Sequence, residues 1–350
     1  MPEISASNSI TAKIRAKLGA CLTEQNYHDM LSLGSVAEVA TYLKTRTKYA
    51  DALSGVQESA LHRGNLELML YGHYLREMSQ LCLFERSVGD KMAEVIMRRE
   101  EMRVILDFLR YLASGHPEDY MLVSSAISNS IVSFDISKMV QCRNLSDLAE
   151  VLGPSPFAKA VSGFAKQKRN GIDFTMLEAV FNRELYCFER DFIKSNFSGN
   201  AQKELLCIIG MRSDLQNVAR CYRSKKYYHT PNEILLPQLI DAGHYINKSN
   251  RIKMAQAQTH DEVREIFCST HYGEYVKSMP DAPIGELAER IMYKKYIGSI
   301  RMSTSPAVAS VCYTGLMSTE IRNITTIIEG VRYSVPQESI KRLIIIDKGG

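Results

Sequence analysis

Three glutamates stand at equal spacing in this chain. Glu67, Glu178 and Glu289 follow one another at intervals of 111 residues, in LELMLYGHYL, LEAVFNRELY and AERIMYKKYI. Two further acids, Asp214 and Glu320, lie 106 residues apart, and each is followed three residues later by an asparagine, Asn217 and Asn323. A carboxylate that recurs in this way has two readings. It is a charge answered by a basic residue of its own repeat, or one of several like positions that line a single cavity and meet a basic partner there. The first is preferred, because the repeat itself accounts for the recurrence. A mid-helix asparagine that packs inward must find hydrogen-bond partners, and in doing so it fixes the register of neighbouring elements.

Familiar catalytic constellations are absent. The sequence holds no G-x-x-x-x-G-K-[ST] loop, no G-x-G-x-x-G turn, no G-x-S-x-G elbow and no H-E-x-x-H pair. Its eight histidines never share metal-ligand spacing with a cysteine or a second histidine on one helix face. His260-Asp261-Glu262 is polar enough to bind something, but reads better as the first turn of a capped helix. The eight cysteines include no C-x-x-C pair and sit in apolar, helix-like segments, as small buried residues do in a reducing compartment. An enzyme with a distributed site is thus a third-ranked reading, and no cofactor or metal is expected.

Composition narrows the class further. Of 350 residues 45% are hydrophobic, which excludes a disordered chain, and the net charge of +4 does not call for nucleic acid. Basic runs such as Lys166-Gln-Lys168-Arg169 and Arg223-Ser-Lys225-Lys226 are short and read as solvated helix ends rather than binding patches. The N-terminal stretch has no continuous apolar core of the secretory kind, and no apolar run is long enough to span a membrane.

The elements that carry the acids are helices. In STEIRNITTIIEGVRY, Ile321, Ile324, Ile327, Ile328 and Val331 fall at helical spacing, with Asn323 in the interior and Gly330 in the last turn. RSDLQNVARCYRSKKY aligns with it without a gap, placing Asp214 on Glu320, Asn217 on Asn323 and Tyr227 on Tyr333. REEMRVILDFLRY supplies a third copy with Glu101 at the acidic position, and Val104 where the asparagine would be. SVAEVATYL, NLSDLAEVL and THDEVREIF form another triplet. Ser35 with Glu38 and Thr259 with Glu262 read there as capping boxes, and Asn144 with Asp147 as a weaker one. An aromatic follows each, at Tyr49, Phe157 and Tyr272. Thr230-Pro231-Asn-Glu233 and Ser305-Pro306 read as helix starts, and Ser114-Gly-His-Pro117 as a closing turn. Gly330 would let a neighbouring backbone come close. Leu343 to Ile346 is the one strand-like run, equally readable as a helix end. The expectation is an all-α chain of three similar multi-helix units, 1–117, 118–230 and 231–350.

Glu320-Ile-Arg-Asn323-Ile with Ile327 to Tyr333, and the tail from Pro336 to Ile344, resemble the closing signature of one family. Asp214-Leu-Gln-Asn217-Val through Tyr227 resembles its middle motif, and Ser9 to Leu18 its opening helix. The family is the single-copy central-rotor component of V-type and A-type ATPases, known as the C subunit in archaea and bacteria and the d subunit in eukaryotes. The resemblance covers essentially the full length. It implies a funnel of three units around a pseudo-threefold axis, with no enzymatic activity and no cofactor. It also implies a place on the cytoplasmic face of the membrane, peripheral through a rotor ring of proteolipid and holding the foot of the central axle subunits. Torque between ATP hydrolysis or synthesis and proton or sodium transport would pass through it. On this reading Glu67, Glu178, Glu289, Asp214 and Glu320 are expected nearer the cavity than the outer wall. The competing reading is a helical-repeat scaffold for another soluble protein, although solenoids normally use shorter repeats.

Overall fold

A computed structural model describes residues 2–54, 63–87, 91–125, 127, 131–166 and 172–346. Every regular element among them is helical, so the all-α expectation holds. Their order has a rhythm, in which a group of short helices is followed by two long ones. Glu24–Leu31 and Val36–Arg46 precede Arg63–Ser87 and Ala93–Ser114. Ile136–Gln141, Leu145–Val151 and Pro156–Ala165 precede Phe174–Asn196 and Gly199–Arg223. Lys248–Gln256, His260–Cys268 and Gly273–Ser278 precede Ile284–Met302 and Pro306–Arg332.

Local chemistry sets the boundaries. Ser35, Asn144 and Thr259 cap their helices as expected, each side chain accepting from the backbone N–H three residues on. The returning carboxylate goes one residue further back than a capping box requires. Glu38 accepts from Gly34 N, Asp147 from Arg143 N and Glu262 from Gln258 N, at 2.8, 3.0 and 2.8 Å. Two predicted starts differ in detail. The short helix after Thr230 begins at Asn232 behind Pro231, with no side-chain cap, and Ser305 flanks Pro306 without its hydroxyl closing a cap. Pro306 stands at the first helical position, where it removes an N–H that would otherwise need a partner, whereas Pro231 is itself the residue that flanks its helix. The Ala93–Ser114 helix ends as predicted, on Gly115 at φ +84°.

Contacts within the chain divide it into two compact units. The first, Met1–Met97 with Met121–Val132 and Tyr296–Gly350, joins both ends of the chain. Its core sets Tyr27, Met30, Leu31, Val39, Leu43 and Tyr49, from the early short helices and the turn after them, against Ile324, Ile327 and Ile328 of the Pro306–Arg332 helix. Those isoleucines are the stripe read from the sequence. The second unit comprises Arg98–Tyr120 and Ser133–Lys295. In it the Gly199–Arg223 helix packs on Phe174–Asn196, Lys248–Gln256 and His260–Cys268. No helix among the described residues is long and apolar enough to cross a membrane. Part of the basic run at 166–169 lies outside the described residues.

Candidate functional site: repeated acids on the long helices

The three acids of the repeated long-helix motif are all buried, and each receives a segment from outside its own helix. Glu101 accepts from Ser133 N at 2.7 Å and pairs with Arg98 at 2.7 Å. Asp214 accepts from three consecutive backbone N–H groups, His244, Tyr245 and Ile246, at 3.1, 2.8 and 3.2 Å. Tyr272 OH donates to the same oxygen at 3.0 Å. Glu320, on the last long helix, takes its partners from the start of the chain. Leu22 N donates at 2.7 Å, Tyr49 OH at 2.7 Å, and Lys48 Nζ stands at 2.8 Å.

Tyr49 and Tyr272 are two of the three aromatics that follow the capped helices, so two recurring motifs of the sequence meet at one bond. The third, Phe157, has no hydroxyl and packs on Phe181 at 4.9 Å. Sequence reading finds both motifs but not their meeting. The pattern carries no direct signal for it, because Tyr49 and Tyr272 each bond to the acid of a copy other than their own.

The asparagines do the work of a strand edge. Asn217 donates to Ile240 O and accepts from Ile240 N, both at 2.9 Å. Asn323 does the same with Ile345, donating at 2.6 Å and accepting at 2.9 Å. A carboxamide carries one donor face and one acceptor face, as a peptide group does, so it satisfies a buried extended segment that has no strand to pair with. This is the physical content of the strand-like run at Leu343–Ile346. Leu343 ends a helix, Ile344 is extended at φ −80°, ψ 147°, and Ile345 pairs with a side chain.

Gly330 faces a side chain rather than the expected backbone, for a β-carbon there would meet Ile340 Cγ1 at 2.5 Å. Gly243 has the closer backbone approach. A β-carbon on it would strike the Asp214 carboxylate and sit 2.7 Å from Ile246 O, so only glycine lets the loop wrap the acid.

The middle copy holds one extra residue. Asn217 and Ile240 are 23 positions apart, whereas Asn323 and Ile345 are 22 apart. Helix termination shifts likewise, since the left-handed residue is His229 (φ 48°) after Asn217 and Ser334 (φ 52°) after Asn323. The Gly199–Arg223 helix accommodates the addition by running into a π turn, Ser224–Tyr228. A turn closed from i to i+5 holds one residue more than an α turn.

Electrostatics follow burial. Burial pushes the Asp214 carboxyl above its ordinary value, against the pull of the backbone N–H groups and Tyr272. Burial, then the Asp214 charge, raises Tyr272, and burial with Glu320 raises Tyr49 well above the usual phenol range. Burial works against the Lys48 ammonium, but Glu320 together with Cys21 and Glu77 outweighs it and the net shift is upward. Burial pushes the neighbouring Cys21 thiol up to about 12, leaving it inert.

Of the equally spaced glutamates, Glu67 is half-buried, Glu178 is half-buried and ion-paired with Arg220 at 3.3 Å, and Glu289 is exposed. A further acid, Glu189, is not marked out by any motif of the sequence. It is fully buried between Arg99, at 2.5 Å, and Arg212. Both arginines stand two residues before a motif acid, Glu101 and Asp214, so equivalent positions of two repeats clamp one carboxylate. Among the described residues no cluster of histidine, cysteine, aspartate or glutamate is arranged to hold a metal ion.

Residues 10–343 match the model of the ATP synthase (C/AC39) subunit family. The chain belongs to that family. It is also similar to the C subunit of the A-type ATP synthase of Methanosphaera stadtmanae, at 22% identity over 95% of this chain and 86% of the relative. The buried acids, asparagines and tyrosines described above lie within the region that the C/AC39 family model spans. In this C/AC39 chain they are built as structural closures. Glu101, Asp214 and Glu320 each accept hydrogen bonds from donors of the chain itself.

Proposed function

We propose that the chain is the non-catalytic rotor subunit of an A/V-type ATPase, a socket that joins the central axle to the membrane rotor ring. The observation that carries this reading is membership of the C/AC39 family over residues 10–343. The chemistry described above is consistent with it. Buried polar groups close helices on loops at Asp214, Asn217, Glu320 and Asn323 and clamp helix to helix at Glu189, which suits a part that transmits torque without deforming. The proposal includes one copy per complex, seated on the cytoplasmic face through the proteolipid ring, and a chain organised as three units, 1–117, 118–230 and 231–350. The recurring order of short and long helices supports that organisation. Glu67, Glu178 and Glu289, which keep solvent contact, are the proposed partner-facing acids. Asp214, Asn217, Glu320 and Asn323 are assigned to holding the repeats closed.

Membrane vesicles bearing the ATPase test the role. Depleting this chain should leave ATP hydrolysis by the released head intact and abolish ATP-driven ion uptake, and adding it back should restore uptake. Ion uptake at full rate without the chain would refute the role.

A further inference from the structure

The π turn that absorbs the extra residue of the middle copy changes what its helix end displays. Tyr227 and Tyr228 stand side by side there, 61% and 73% exposed, their ring centroids 6.4 Å apart. Lys226 is exposed and lies over the Tyr227 ring at 5.4 Å. Arg223 and His229 are exposed on either side of the turn, and Lys225 is half-buried against Asn232. Ile234, 52% exposed, follows within the next helix, and Glu233 is the one acid between Arg223 and Gln238. The equivalent end in the last copy shows one tyrosine, Tyr333, before its left-handed residue. The added residue thus yields a doubled aromatic tip with a basic collar.

Amphipathic rings beside lysine and arginine are the composition that settles at the headgroup level of a bilayer. The ring enters the interface while the cation stays with the phosphates, and each cation near an anionic surface strengthens binding by about fivefold. We infer that the Arg223–Ile234 tip is a contact site for anionic phospholipid headgroups, touching the membrane directly. The favoured occupant follows from charge complementarity and from the exposure of aromatic and aliphatic side chains together. This goes beyond the rotor role and does not rest on it, since a rotor part attached only through protein contacts needs no lipid-binding tip.

The full chain should co-sediment with vesicles of phosphatidylcholine and phosphatidylglycerol and much less with phosphatidylcholine alone. Tyr227→Ser with Tyr228→Ser, and separately Arg223→Glu with Lys226→Glu, should each reduce binding at least about tenfold at an unchanged melting temperature. Arg332→Glu with Tyr333→Ser, at the equivalent end of the last copy, should leave binding in place. Lack of binding to anionic vesicles would overturn the inference, as would equal loss in the Arg332/Tyr333 variant. Retention on polyglutamate beads without retention on vesicles would assign the tip to an acidic protein and overturn it too. None of these results bears on ATP-driven ion uptake, so the two proposals fail separately.

Discussion

The Asn323 carboxamide and the Ile345 backbone exchange two hydrogen bonds, at 2.6 and 2.9 Å, in a buried setting. The pair answers why an asparagine sits in the interior of a 27-residue helix. It holds a returning tail that has no strand partner. Replacing Asn323 with alanine leaves the Ile345 N–H and C=O buried and unpaired, at about 1–3 kcal/mol each. Asn323→Ala should therefore lose about 2–5 kcal/mol in urea unfolding, and Asn217→Ala should behave alike through Ile240. Asn323→Asp, which keeps the acceptor and loses the donor, should also destabilise. A loss below about 0.5 kcal/mol would mean that the tail is held by its isoleucines alone.

Gly243 is the position where the Asp214 loop tolerates no side chain. Gly243→Ala should cost about 1–3 kcal/mol by overpacking, whereas alanine at Gly163, where nothing lies within 4 Å, should be neutral or stabilising. Thermal melting of the two variants beside the parent checks the contrast. Equal melting temperatures would contradict the close approach.

Glu189 answers two arginines from a fully buried position. Glu189→Gln strands both guanidinium groups and should destabilise by about 3–5 kcal/mol. Glu189→Met with Arg99→Met and Arg212→Leu removes the charges together and should recover much of that loss, because the desolvation cost vanishes with them. A triple variant no better than the single would show that the cluster contributes packing rather than charge.

Alkaline pH should weaken the fold. Tyr49, Tyr272 and Tyr313 hold their protons above the ordinary phenol value of 10.0, and Lys48 above 10.5. A folded-state pKa above the unfolded one gives stability that is present below the unfolded value and lost as pH rises toward the folded one. Above about pH 10 each such tyrosine forfeits up to about 1.4 kcal/mol per pH unit. Urea midpoints at about pH 8 and about pH 11 should differ clearly, and Tyr272→Phe, less stable at the lower pH, should show the smaller drop. An identical drop in that variant would mean that the Tyr272–Asp214 bond does not set this dependence.

Much of this is legible in the residues. Helical periodicity marks the long helices, and Ser35, Asn144 and Thr259 mark their short helices to the residue. The acid–asparagine pairs identify the helices that close on a returning segment. Partners are harder to read, because contacts such as Tyr49 to Glu320 join residues 271 apart, and local pattern is silent at that range. Glu189 carries no signal of its own because its arginines belong to other helices. The π turn is hidden by a gapless alignment through Tyr227 and Tyr333, which stops just short of the one-residue offset that appears at His229 and Ser334 and again where the segments return to Asn217 and Asn323. Gly330 departs from expectation because a glycine reports a close neighbour without saying whether that neighbour is backbone or side chain.

The rotor assignment is tested most directly by purifying the chain from gently solubilised native membranes and weighing the intact assembly by native mass spectrometry. One copy held with the axle subunits and the proteolipid ring is the predicted result. An assembly that holds this chain with a soluble partner, and no other part of an ATPase, would contradict it.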